Sequence, residues 1–587
     1  MPSTFFGLSI GTSGLYAYQA ALNTTGHNVT NTETPGYTRQ VINQQAGVAL
    51  RVNSRYGMAG SGVDVTGISQ VRNEYYDLKY RTNNTIYGSY SAKQYAMTEI
   101  ENYFNEVSLE GFTTSFNTLF TTMQTLSTNS SDLTKRTQVT SFAKNLTEYF
   151  NSMATNLQSI QEECNFEVKN QVERINSLGQ QIATVTKQIN TLESNGGTAN
   201  DLRDQRQLLL DELSNIVNIS YEERVVGNDV GVTSFTVQID GQTLVDTNNY
   251  NTLKVVPRTE KLNQNDIEGL YDIQWSNGNS FNTQSSTLSG YLKSMIEVRD
   301  GNNGENLRGT VDTGAAGSNQ VVLTNASINS IEKLNIPSSG VLTIGNEKYT
   351  YSDFVVNYDE DTKTSTYTFT LDENLSQNVA GKSVSVGDSI DYKGIPYYMG
   401  QLNQFARTFS KAFNDIHKSG KDLYGDQGLD FFNGTDPVTG ENYTFDDYED
   451  YYNLTAGNFT VTAEVYNDPR RMVTGSEVLN GIENNDVLDA LLALSSDSSM
   501  FKQGTPASFF QTLVAEVGVD AGKANKFAKN QSDILDMVKN QRLSVAGVDV
   551  DEEAMNLIKF QNAYNLSAKV IQVMNEVYDK LINGTAV

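Results

Sequence analysis

One cysteine, Cys164, in a chain of 587 residues excludes any intrachain disulfide. Secreted domains commonly use such staples, so a single thiol suits either a cytosolic protein or a chain threaded unfolded through a narrow export channel. Histidine is nearly missing too. His27 and His417 are the only two and no HExxH pair exists, which removes the metalloprotease class. Both read as structural or surface residues, His27 in a turn and His417 at a helix end. Basic residues are in deficit, 42 Lys and Arg against 69 Asp and Glu, for a formal net charge of -27. Such a surface repels phosphate backbones and argues against nucleic acid as a partner. No run approaches the ~20 apolar residues of a membrane span, so no membrane insertion is expected. The opening MPSTFFGLSIG has neither a basic segment nor a continuous apolar stretch, and is expected not to act as a secretory signal peptide.

Proline is scarce as well. Of eight, none falls between Pro35 and Pro257 and none after Pro506, which leaves long helices possible. Val139, Phe142, Leu146, Tyr149, Met153, Leu157, Ile160, Cys164, Val168, Val172, Ile175, Leu178, Ile182, Val185, Ile189 and Leu192 recur at about 3.5 residues, the coiled-coil period. Asn195-Gly196-Gly197 stops this helix. A second helix, from about 200 to 216 with Asn200 or Asp201 as its cap, is expected to fold back on it. Cys164 lies on the seam and reads as a small core residue rather than a redox group. Both chain ends carry narrow apolar stripes: Leu8, Leu15, Leu22 and Val29 at heptad spacing, and Leu557, Phe560, Tyr564, Ser567, Ile571, Met574, Tyr578 and Leu581 in steps of three and four. Stripes so narrow must pack on each other or on neighbouring subunits. That points to an assembly protein.

Between the helical ends the texture changes. Phe235, Val237 and Ile239 alternate before an Asp240-Gly241 hairpin turn, and 341–344, 349–351 and 367–370 read as successive strands. Helix is predicted over 288–298, again over 399–417, and from Pro506 to the end apart from a break near Gly547. The predicted fold class is multidomain α + β, an elongated helical coiled-coil rod built from both termini with β-rich domains inserted in the middle. The expected units are a terminal helical pair (1–40 with 545–587), a helical rod (41–219 with 284–300, 392–421 and 475–544), a β domain (220–283), an inserted β domain (301–391) and a small polar outer module (422–474). Looping such modules outward is tolerable because closure entropy grows slowly with length.

Candidate chemistry is thin. Asp422, Asp426 and Asp430, with two intervening glycines, form a weak calcium candidate, but Asn433 stands where an EF-hand would place its closing Glu. A solvated turn is the preferred reading. The run Asp359-Glu360-Asp361 reads as a hairpin tip. The 31 tyrosines suit half-buried strands and interfaces. No constellation resembles an active site, so the chain is expected not to be an enzyme and to need no cofactor.

Three segments carry a resemblance. Asn31, Thr32, Glu33, Thr34, Pro35, Gly36 and Tyr37 form an Asn-rich turn ending in Thr-Pro-Gly-Tyr, with Glu33 where Asn is usual. The segment Ser544 to Asn583 looks like its C-terminal counterpart. Together they resemble the axial proteins of the bacterial flagellum, the rod, hook and hook-associated family. NDLRDQRQLLLDELS, from Asn200 to Ser214, narrows the resemblance to hook–filament junction members, with Arg203 at an expected apolar position. The resemblance implies a secreted structural protein of the extracellular flagellum, exported by the type III route with an export chaperone. It implies assembly with its own copies, with hook protein on one side and the second hook–filament junction protein on the other. The assembly interface is then expected at Leu8, Leu15, Leu22, Val29, Leu557, Phe560, Tyr564, Ile571, Met574 and Leu581. Pro35, Gly36 and Tyr37 would set the angle at which the chain leaves the inner helix. Flagellin or another axial protein is the nearest rival. A surface adhesin would want a signal peptide, and a secreted hydrolase a catalytic constellation.

Overall fold

The computed structural model describes residues 6–53, 57–226, 232–479 and 482–584. In chain order the elements are α1 (Phe6–Thr30), β1 (Gln40–Ala46), β2 (Leu50–Asn53), β3 (Gly57–Ala59), β4 (Val63–Gln70), α2 (Glu74–Leu126), α3 (Leu133–Glu193) and α4 (Asn200–Ile216). Then come β5 (Ser220–Val225), β6 (Thr233–Ile239), β7 (Gln242–Asp246), β8 (Asn249–Tyr250), β9 (Leu253–Pro257), β10 (Tyr271–Trp275) and α5 (Tyr291–Asp300). Strands β11 (Arg308–Thr313), β12 (Gln320–Thr324), β13 (Gly340–Ile344), β14 (Glu347–Asp359), β15 (Thr364–Leu371) and β16 (Ser383–Val386) precede α6 (Ile395–His417). The chain ends with β17 (Phe432–Gly434), β18 (Phe459–Val461), α7 (Ala463–Asn467), β19 (Val478–Leu479), β20 (Ile482–Glu483), α8 (Asp486–Ala493), α9 (Pro506–Ala546) and α10 (Val550–Asn583). The fold is mixed α and β, dominated by very long helices.

The proline-free intervals become α2, α3, α9 and α10. At 1.5 Å per residue, α3 with its 61 residues is ~90 Å long. Each start is capped: Asn73 accepts from Tyr75 N, Asp132 from Thr134 N, Thr505 from Ser508 N, and Asp549 from Asp551 N and Glu552 N. The 3.5-residue stripe of α3 is buried from Val139 to Ile189, apart from half-buried Phe142, while Leu192 is exposed. Arg136, Thr140, Thr147, Gln161 and Asn165 are buried as well. Several neighbours therefore cover this helix, among them α2, α4, α5, α6 and strands of the β modules, where a two-stranded coiled coil would offer a single seam. Cys164 sits in this core, its thiol pushed up to about 12 by burial.

The helical rod is expected from the sequence to begin at residue 41, but 40–46, 50–53, 57–59 and 63–70 are strands. β1 pairs with β4 and β2 with β3, both antiparallel. β-branched Val41, Ile42, Val63 and Val65, interrupted by Gly62 and Gly67, favour extended backbone over helix. β5–β8 form a four-stranded sheet, and β11-β12-β15-β14-β13-β16 close into a barrel. Its interior holds Val311, Leu323, Ile344, Tyr367, Phe369 and Val386, the alternation that closure demands. The barrel's two connections run side by side: Gly394 N donates to Gly301 O (3.2 Å) and Asn303 N to Tyr392 O (2.9 Å). A Cβ on Gly301 would lie 2.6 Å from Tyr392 O, so only glycine fits between α5 and α6.

Residues 422–474 do not stand apart as a small polar outer module. Phe431, Phe432, Phe445, Tyr451, Leu454, Phe459 and Val461 are buried in the same core as α3 and α6. Phenylalanine spacing hid this, because these rings lie in turns and two three-residue strands without helical or strand periodicity. His417 is likewise no surface residue. It is fully buried, donating from Nδ1 to Leu429 O (2.6 Å) and accepting at Nε2 from Val473 N (2.9 Å). Burial holds it neutral, down to about 4. A depressed histidine contributes stability fully above its unfolded value near 6.5, and that contribution is lost as pH falls through about 4. Across that window the group should account for about 3 kcal/mol. His417→Gln, which keeps a donor and an acceptor, is expected to flatten the fall in melting temperature between pH 6.5 and 4. An unchanged pH slope would remove His417 as its source.

Candidate assembly interface

The two chain ends pack on each other. α1 and α10 run antiparallel, with Gly7 against Met574, Gly11 against Ile571 and Gly14 against Ser567. A Cβ at Gly11 would lie 2.8 Å from Ile571 Cγ1, and one at Gly14 2.9 Å from Ser567 Oγ. The buried face of α1 is thus Gly11, Gly14, Ala17, Ala21, Thr24, Thr25 and Asn28. Between these two helices the contact is therefore made by small residues and not by the leucine stripe. Leu8, Leu15 and Leu22 are half-buried on its flank and Val29 is exposed. On α10 the stripe holds half-buried Phe560, Tyr564, Ile571 and Met574 and buried Tyr578, but Leu557 and Leu581 face outward. Bulk sits on one side of the contact only, so the partner helix must be small for the backbones to approach. A sequence signal existed: small residues at 7, 11, 14, 17 and 21 keep the same three-four rhythm.

The outward surface of this pair carries an apolar stripe among polar residues. Tyr16, Met555, Ile558, Leu566, Val570, Val573, Val577 and Ile582 are exposed, Tyr16 by 70 % and Leu566 by 67 %. α1 contains no Asp, Glu, Lys or Arg in a chain of net charge -27. Contiguous exposed apolar surface of this kind marks an interaction site.

The pair joins the rest of the molecule at a hub where all three recognised segments meet. After α1 the chain turns through Pro35 and Gly36, both exposed, with Gly36 at φ +79°. Asn28 holds the turn: its Oδ1 accepts from Tyr37 OH (2.8 Å) and Gln40 N (3.0 Å), and its Nδ2 donates to Gln40 O (2.9 Å). Burial, then the charges of Asp201, Asp204 and Glu553, push the Tyr37 phenol well above its ordinary range. The turn docks on the start of α4, where Asp204 accepts from Thr38 N (2.8 Å) and Arg72 (3.2 Å), and Asp201 from Gln40 Nε2 (2.8 Å). His27 Nε2 faces Asp201 at 3.3 Å. Asn200 and Asp201 therefore do not cap α4. Ala199 occupies that place without a side-chain cap, because the Asn200 and Asp201 side chains reach instead to Gln40, Ile68 O and His27.

Arg39 closes the hub onto the C-terminal segment, with Nε to Glu553 (2.7 Å), Nη2 to Glu552 (2.8 Å) and its backbone N to Ala546 O (2.9 Å). Beneath lies a chain of ion pairs: Arg72–Asp77 (2.6 Å), Arg542–Asp77 (2.7 Å), Arg542–Asp211 (2.5 Å) and Arg81–Asp211 (2.8 Å). Burial raises Asp204 to about 6. Arg203, the departure from the expected apolar position, pairs with Glu193 (2.7 Å) and Glu223 (3.0 Å) and ties α4 to α3 and β5. Most of these pairings were hidden from local pattern, since partners lie up to 514 positions apart, Arg72–Asp77 and Arg203–Glu193 being the near ones.

Other candidates resolve simply. Asp422 and Asp426 face Arg471 (3.3 and 3.1 Å) and Asp430 faces Lys418 (2.9 Å), so cations of the chain occupy the carboxylates of the calcium candidate. Among the described residues no group of His, Cys, Asp and Glu is arranged to hold a metal ion. Gly7-Leu8-Ser9-Ile10-Gly11 has the G-x-S-x-G spacing but lies within α1 rather than at a strand-to-helix elbow. No described helix is long and apolar enough to cross a membrane.

The family described as "Flagellar hook-associated protein FlgK helical domain" matches residues 97–322 and 319–432, more than half of the chain. "Flagellar basal body rod FlgEFG protein C-terminal" matches 539–584. Flagellar hook-associated protein 1 of Bacillus subtilis (strain 168) is 27 % identical over 599 aligned residues, covering 100 % of this chain and 99 % of that one. The protein of the same name from Escherichia coli (strain K12) is 27 % identical over 97 % of this chain and 98 % of its own. The solved structure of the flagellar hook junction protein FlgK from Burkholderia pseudomallei covers 80 % of this chain and 100 % of its own at TM-score 0.46 and 15 % identity. The chain belongs to the flagellar hook-associated protein FlgK family and is a structural component of the bacterial flagellum.

Proposed function

We propose that this chain joins hook to filament, standing between hook protein and the second hook–filament junction protein, and that it acts mechanically, without catalysis. The observation that carries the reading is the α1–α10 pair, which packs on itself through small residues and leaves its outward apolar faces uncovered. Copies would enter the inner wall of the axial tube by these faces, with Leu8, Leu15, Leu22, Val29, Leu557 and Leu581 against neighbouring copies as knobs in holes. The Pro35–Tyr37 turn and the Arg39 clamp would fix the angle between inner helices and core. The chain would leave the cell by the flagellum's own type III route, held beforehand by an export chaperone. In cells lacking it, hooks should remain bare and filament subunits should appear in the medium. Filaments of normal number on such cells would overturn the reading.

The segment 301–391 is proposed as an outer module not needed for assembly, since Gly301 and Gly394 already touch. It is not free-standing, however: Arg407 of α6 donates to Ile331 O (3.0 Å) and Leu334 O (2.6 Å) inside it. A Gly-Ser bridge in its place is expected to preserve filaments while lowering the melting temperature. Loss of filaments from an exported, folded protein would refute the modular arrangement.

A further inference from the structure

Away from the terminal helices, the rod formed by α2, α3 and α9 carries two exposed aromatic patches of opposite charge. On α9, Phe527 is 49 % exposed and stacked on Tyr90 of α2, ring centroids 5.4 Å apart. Lys523, Lys526 and Lys529 of the same helix are all exposed, Lys523 on the side of Phe527 and Lys526 and Lys529 progressively round the solvent flank. α9 has no carboxylate between Asp520 and Asp533, and α2 none between Asp77 and Glu99. Among the described residues only Lys523 is paired, with Asp520 at 3.4 Å. On α3, Phe166 is 59 % exposed, with exposed Glu162 and Glu163 and half-buried Glu167 beside it. α3 has no Lys or Arg between Lys144 and Lys169. Tyr95 of α2 donates to Glu163.

The two patches lie little more than one helical turn apart along α2, on different flanks. Tyr90 and Tyr95 mark them on α2, and five residues amount to ~7.5 Å of rise and ~140° of rotation. α2 packs against both other helices. Two interaxial distances of ~8–10 Å each separate the patches, beyond the ~8 Å over which charge is felt at physiological ionic strength, so they do not neutralise each other within one chain. A basic patch and an acidic patch on different flanks, offset by little more than one helical turn, make a heterologous, head-to-tail contact, the kind that closes rings or builds helices. Charge complementarity of this sort steers association and sets register.

We propose that the Lys526–Lys529 patch with Phe527 docks on the Glu162–Glu163 patch with Phe166 of a second copy, as a lateral contact between rods. The proposal rests on copies of this chain standing side by side around an axis. Lys526→Glu with Lys529→Glu, and separately Glu162→Lys with Glu163→Lys, should each cut the number of filamented cells about ten-fold or more, since several weak charge contacts repeat at every neighbour. Combining all four substitutions in one chain should restore filaments, because the charges are exchanged. In full-length protein, Lys526→Cys with Glu162→Cys should give a ladder of covalent multimers on oxidation of isolated flagella, and either cysteine alone should not. Normal filaments with either reversal, failure of the four-fold exchange in protein of unchanged melting, or no ladder from flagella containing the double-cysteine chain would overturn it. Absence of even the wild-type chain from isolated flagella would instead refute the underlying position in the flagellum.

Discussion

Ile571→Asp is expected to abolish filaments and motility while leaving the melting of the long-helix core unchanged. Ile571 fills the space left by the missing side chain of Gly11, and a carboxylate there finds no partner on a helix without a single Lys or Arg. Desolvating it costs more than the narrow contact returns, so α1 and α10 should separate. The core is spared because, among the described residues, the pair meets it through the 27–40 turn, strands β1 and β4 and the first turn of α10. Gly11→Leu should have the same result by bulk instead of charge. Leu557→Asp discriminates further: Leu557 faces outward, so the pair should stay protected from protease while filaments are lost. Normal motility with Ile571→Asp would count directly against assembly through the terminal helices.

Arg407→Met should have the largest effect on the folding of the core. The guanidinium is fully buried in α6 and donates to Leu454 O (2.8 Å), Tyr452 O (2.7 Å), Gln264 Oε1 (2.6 Å), Ile331 O and Leu334 O. It fastens the barrel segment, the 264 loop and the 445–461 region to one helix. Burial draws it down to about 10, still charged at neutral pH. Removing it takes the donor from Leu454 O, Leu334 O and Gln264 Oε1, while Tyr452 O keeps Gln264 Nε2 (2.9 Å) and Ile331 O keeps Leu334 N (3.1 Å); losses of this type cost about 3–5 kcal/mol. Calorimetry should show a lower transition, with the barrel melting apart from the helical core. A single unshifted transition would mean that water satisfies those carbonyls and that Arg407 is not the fastener.

Much of this protein was legible from residue order alone. Proline-free intervals left room for α2, α3, α9 and α10, the 3.5-residue stripe traced α3, the break near Gly547 separated α9 from α10, and alternation located β13, β14 and β15, because these features act within one or two turns of chain; the bounds of α2 and the strands at 40–70 were not legible in this way. The Asn31–Tyr37 turn, the start of α4 and the beginning of α10 were each recognisable for the same reason. Local pattern could not show that these three segments form one hub, since Glu552 and Glu553 lie 513 and 514 positions from Arg39, and Asp204 lies 166 from Thr38. Nor did it show which face of α1 is buried. A hydrophobic stripe predicts the inward face when the partner is flat, but α10 brings its own bulk, and close approach then selects Gly11, Gly14 and Ala17 over Leu8, Leu15 and Leu22. Residue order determined which elements form. Tertiary structure decided which surfaces meet, because volume and charge are matched across space and not along the chain.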